Sequence, residues 1–113
     1  MKKQLNDFRQ KVKNNICTLL VKLYVEEHHE MPNWEEEEEI VLDEKQAGYS
    51  SAYINSEGWG LEENSINKYK VTLDNNLFFV YGAYDYPQEI CWDEISTDDL
   101  VNIYETINKQ FKN

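Results

Sequence analysis

A single helical period runs without a break from residue 3 to residue 28. Leu5, Phe8, Val12, Ile16, Leu19, Leu20 and Leu23 step by three or four and fall on one stripe. No Gly or Pro interrupts it, and Pro32 follows soon after "EEHHEM" to help stop the helix. A helix with one apolar stripe needs an apolar surface to lie on. The 113 residues have room for one such core, so residues 1–113 are expected to form a single domain. The same segment opens with Lys2 and Lys3, but Lys22 breaks the apolar run from Ile16 to Val25 and no small-residue cleavage site follows. It reads as a mature helix and not as a targeting segment. No stretch approaches the ~18 consecutive apolar residues of a membrane span, so no membrane partner is expected.

The surface that would receive this helix lies in the middle of the chain. Residues 38–43 form a short strand around Ile40, Val41 and Leu42. "GYSSAYIN", 48–55, is a looser candidate. "SEGWG", 56–60, is a turn. "NKYKVTLD", 67–74, alternates cleanly, with Tyr69, Val71 and Leu73 on one face and Lys68, Lys70 and Thr72 on the other. "DNN" then reads as a tight hairpin, because Asn tolerates positive φ. "LFFVYGAYDY", 77–86, returns. With Asn75 and Asn76 as the loop, Leu73 faces Phe78 and Val71 faces Val80. Those four make the inner face, and Phe79 and Tyr81 fall on the outer one. A one-residue change in loop length would swap the two sets. "EICW" forms a last short strand after Pro87. "STDDL" opens a closing helix capped by Ser96, with Leu100, Ile103, Tyr104, Ile107 and Phe111 at helical spacing. The expected fold class is α+β, order α-β-β-β-β-α. It has two layers: an antiparallel sheet of about four strands in hairpins, with both terminal helices packed on one face.

Charge is divided as sharply as structure. The net charge is −11, from 22 acidic and 11 basic residues. Residues 1–25 carry six basic residues and one acid, which makes them +5, and the remainder is −16. A body this acidic repels phosphate backbones and anionic membranes and attracts basic partners. The basic helix could touch phosphates through Lys2, Lys3, Arg9, Lys11 and Lys13. No nucleic-acid recognition module accompanies it, so no nucleic-acid partner is expected and the helix is read as neutralising part of the acidic body.

"PNWEEEEEIVLDE" concentrates the acidity. Glu35, Glu36, Glu37, Glu38 and Glu39 run into Ile40–Leu42, so only the far end can be buried. Such charges protect a sheet edge from aggregation. Five in a row exceed that need and suggest a docking surface for a basic partner, extended by Glu57, Trp59, Glu62 and Glu63 in the next hairpin. A second candidate is an open aromatic face of Phe79 and Tyr81, with Trp59 beside them, suited to a peptide, a sugar or another copy of the chain.

Chemistry-bearing patterns are sparse. "EEHHE", residues 26–30, could turn Glu26, His29 and Glu30 together, but a di-iron site needs the Glu-x-x-His pattern twice, and H-E-x-x-H is absent. No metal ligands and no cofactor are expected. The serines lack a nucleophile elbow, and the four glycines form no phosphate loop. Cys17 and Cys91 lie among apolar residues, as reduced thiols of a cytoplasmic protein do.

The sequence thus points to a small acidic non-enzymatic protein that engages a basic protein partner, as an inhibitor, antidote or adaptor does, or that pairs with itself as a homodimer. The alternative is a ligand-binding or regulatory domain using the aromatic face. More remote is a metal-dependent enzyme built on His28 or His29.

Overall fold

The computed structural model describes residues 2–43, 52–53, 65–81 and 88–109. The chain runs α1 (Lys2–His28), β1 (Glu39–Asp43), β2 (Ala52–Tyr53), β3 (Ser65–Thr72), β4 (Leu77–Tyr81), β5 (Gln88–Cys91), a single 3-10 turn (Trp92–Glu94) and α2 (Thr97–Lys109). This is the α+β order that the periodicities predict. The sheet is antiparallel throughout, in the order β1-β3-β4-β5, and β2 adds two residues to the start of β3.

Local chemistry sets the helix ends. At the end of α1 the His29 N–H donates to Val25 O at 2.7 Å, and His29 takes the left-handed conformation, φ 59°, that closes many helices. At the start of α2, Ser96 Oγ accepts the Asp99 N–H at 3.2 Å, the predicted cap. Asp98 and Asp99 occupy the first turn and Lys109 the last, which suits the helix dipole.

The core lies between the sheet and the two helices. Leu42, Tyr69, Phe79 and Ile90 stand side by side across four strands, with Ile40, Val71 and Leu77 in the neighbouring row. They form one cluster with Val12, Ile16, Leu19 and Leu20 of α1 and with Leu100, Ile103 and Ile107 of α2. Tyr69 and Phe79 meet edge to face, with centroids 5.8 Å apart.

One expectation is overturned. Val71 pairs with Leu77, not with Val80, and Lys70, not Leu73, pairs with Phe78. Leu73–Asn76 lie between the two strands, and Thr72 stands opposite Asn76, which leaves three residues, Leu73–Asn75, to make the turn. Thr72 N–H donates to Asn76 O at 3.1 Å, Asn75 N–H returns to Thr72 O at 3.0 Å, and Asn75 takes φ 63°. The register differs from the two-residue loop by three positions, an odd number, so the faces of β4 exchange. Phe79 is fully buried and Tyr81 is buried at 7% exposure, while Leu73 is 57% exposed. Val80, on the other face, is buried as well at 7% exposure, and Phe78 is half-buried, so Phe78 is the one residue of β4 that is not buried.

Candidate functional site

The glutamate run begins at a turn built by Asn33. Its Oδ1 accepts the Glu35 N–H at 3.2 Å, and its carbonyl accepts the N–H groups of Glu36 at 3.2 Å and Glu37 at 2.9 Å. Buried Pro32 and half-buried Trp34 hold this turn to the body, and Trp34 packs against the core. Fixed from behind in this way, Glu35, Glu36, Glu37, Glu38 and Glu39 are all exposed.

The run then divides into two behaviours. Glu39 enters β1 opposite Thr72, and its carboxylate lies 3.4 Å from Lys70 Nζ on β3. Lys70 also meets the Glu89 carboxylate at 2.8 Å and sits 4.6 Å from the centre of the Phe78 ring. Partial burial works to lower the Lys70 pKa. The hydrogen bond and charge of Glu89 and the charge of Glu39 outweigh it, so the pKa is raised. Glu35–Glu38 take part in no ion pair among the described residues.

Glu38 instead borders the β3–β4 hairpin. Its carbonyl accepts the Leu73 N–H at 2.9 Å, which extends the β1–β3 ladder by one bond. Glu38, Glu39, Thr72, Leu73 and Asp74 line an open cavity of ≈ 380 Å³. Its rim is acidic and its apolar patch is Leu73. The Thr72 hydroxyl donates to the Asp74 carboxylate, so the rim is ordered and not only charged. A lysine or arginine could enter with its stem on Leu73 and its head among three carboxylates.

Of the predicted docking residues, the structure places Glu38 and Glu39 at this cavity, and Glu35, Glu36 and Glu37 are exposed in the turn before it without lining it. Glu57, Trp59, Glu62 and Glu63 lie outside the described residues. The structure adds Thr72, Leu73 and Asp74, which sequence reasoning missed. They reach Glu38 only because β1 skips β2 and pairs with β3, and no local pattern signals that pairing. The predicted aromatic face is corrected outright: Phe79 and Tyr81 belong to the core. The outer row beside Phe78 is Val41, Lys70 and Cys91.

Two cations of the basic helix bond to the body. Arg9 donates to Thr97 Oγ1 at 2.7 Å and to the carbonyls of Trp92, Asp93 and Ile95. Lys13 Nζ donates to Asn75 O at 2.6 Å and lies 5.4 Å from the centre of the Trp92 ring. Both side chains therefore clamp α1 to the body.

The remaining reactive groups are quiet. Cys17 and Cys91 are free thiols that both approach Asn76, Cys17 at its backbone oxygen (4.0 Å) and Cys91 at its side-chain oxygen (3.8 Å). Burial pushes the Cys17 thiol up to about 11, against a smaller pull from the Lys13 charge. Cys91 is also raised, first by burial and then by the side-chain hydrogen bond and charge of Asp93, against the lowering pull of hydrogen bonds with the Asp93 backbone and the Asn76 side chain. Neither thiol is activated as a nucleophile. His28 stacks on Tyr24 with centroids 4.2 Å apart. Among the described residues no group of three or more His, Cys, Asp or Glu side chains is arranged to hold a metal, and no helix is long and apolar enough to cross a membrane. Comparison with known protein families, curated proteins and solved structures finds no match for the chain.

Proposed function

We propose that this chain is a small acidic, non-enzymatic binding protein that docks a basic protein partner on the rim formed by Glu35–Glu38 and the Leu73 cavity. The observation that carries this reading is the contrast within the glutamate run. Glu39 pairs with Lys70, Glu35–Glu38 stay exposed without an ion pair among the described residues, and Glu38 continues into the lining of a cavity with an apolar patch. Edge protection accounts for charge but not for a cavity whose rim is continued by Asp74 from another strand connection. The partner contributes lysine or arginine side chains, and long-range attraction speeds its encounter. An inhibitor, antidote or adaptor works through such a surface, and we place this one in the cytoplasm, where free thiols persist.

The test is a pull-down from host extract, followed by titration of the captured basic protein at low and high salt. Substitution of Glu35–Glu38 by Gln keeps size and removes charge. Loss of binding in this variant, together with weakening in salt, supports the rim as the site. Unchanged affinity in both removes it.

A further inference from the structure

The N-terminal end of α1 presents the opposite surface. Lys3 to Phe8 are all exposed, six consecutive residues of a helix that turns every 3.6, so this end is bare on every side. Arg9 is where α1 first fastens to the start of α2. Yet the apolar stripe continues into the bare end: Leu5 is 53% and Phe8 47% exposed, in line with buried Val12 and Ile16. Exposed Lys11, one turn beyond Phe8, lies beside the pair, while Lys3 and Asp7 fall on the other side of the helix and offset each other. An apolar pair with a lysine beside it, at the positive end of a helix, matches an acidic rim around an exposed Leu73 in polarity and in local charge.

The two surfaces also lie near one another. Asn75, next to the rim residue Asp74, receives Lys13 Nζ at its carbonyl, and its side-chain amide donates to Asn14 Oδ1 at 2.7 Å. Phe8 is six residues from Asn14, about 9 Å along the helix axis. A stiff helix cannot fold back onto its own rim across so short a span. Two copies related by a two-fold axis can each supply the helix end the other lacks, since such an axis makes every contact twice.

We propose that the chain forms a closed, two-fold dimer in which the Leu5–Phe8 end of each α1 docks on the acidic Leu73 rim of the other copy. This rests on the reading of that rim as a docking surface and names a second copy as its occupant.

Sedimentation of the untagged chain tests it with two variants at exposed positions, Leu5→Ser/Phe8→Ser and Glu38→Lys/Leu73→Ser, whose folding is checked by circular dichroism. The expected result is a dimer at low salt that weakens at high salt. Each variant alone should be monomeric, with Kd raised by about tenfold or more, and an equimolar mixture should recover a dimer through its one intact contact. A wild-type chain that is monomeric up to ~1 mM at low salt overturns the proposal. So does a dimer that survives Glu38→Lys/Leu73→Ser, which would mean that the α1 ends pair with each other or that another face is used. Growth beyond the dimer also overturns it, because an open head-to-tail chain is then the assembly. A monomeric chain that still loses a foreign basic protein on Glu35–Glu38→Gln refutes the dimer and leaves the docking function standing. A dimer with no foreign partner keeps the rim as a docking surface and removes the foreign basic protein as its occupant.

Discussion

The two faces of the sheet use the same strands for opposite ends. On the inner face, Leu42, Tyr69, Phe79 and Ile90 form an unbroken apolar row under the helices. One residue along, the outer row of Val41, Lys70, Phe78 and Cys91 centres on a cation held by two carboxylates and a ring. The inner face derives its strength chiefly from buried area. The outer face adds a charge arrangement sensitive to salt and pH. Labour is thereby divided between them: the inner face sets the register, and the outer face is left to manage charge up to the rim, where Glu35–Glu38 escape it.

Substitutions can break this contrast in graded fashion. Phe79→Ala should have the largest effect, costing about 3–5 kcal/mol in urea unfolding, whereas Phe78→Ala on the outer face should cost roughly half as much or less. Equal losses would mean that the outer face is also a packed core. Arg9→Ala should rank next, at about 1–3 kcal/mol, because three carbonyls and a hydroxyl lose one shared donor. Arg9→Lys should recover little, since an ammonium cannot reproduce the planar fork. Full recovery by lysine would show that charge alone fastens α1.

Smaller effects sharpen the comparison. Lys70→Met should change stability by about 1 kcal/mol at most, because both its carboxylates are half exposed, and it should flatten the salt dependence. The Lys70 pKa is raised in the fold, so its contribution is present below the ordinary value of 10.5 and disappears as pH rises through the folded value. Cys17 has the same sign: its thiol ionises near 9.0 when unfolded and at about 11 when folded, so stability should fall across that window. A Cys17→Ala chain should show a shallower alkaline decline in thermal melts tracked from about pH 8 to about pH 11. Smallest of all, Gln at Glu35–Glu38 should leave stability within about 0.5 kcal/mol. A large loss there would assign those residues to the fold and away from docking.

The legibility of the sequence divides along the same line. The α1 stripe, the α2 cap at Ser96 and the inner phase of β3 are legible because each is a local pattern. The β4 phase is not. It hangs on Asn75 and on the Thr72–Asn76 hydrogen bonds, which leave a three-residue turn, and "DNN" suits a two- or a three-residue turn equally. Half of the rim is visible as a glutamate run. The other half, Thr72–Asp74, comes from a pairing between strands distant in the chain. The inward use of Arg9 is hidden as well, because an arginine off the apolar stripe looks like any exposed cation.

The skipped strand order has one more consequence. The rim takes residues from β1 and from the β3–β4 turn, so it exists only where β1 lies on β3 and that turn is closed. It is absent from any chain in which either contact is unmade. A protein recognising it would bind finished molecules and pass over incomplete ones. By mass action it would also draw the population toward completion, by about 2.7 kcal/mol at a hundredfold excess over Kd.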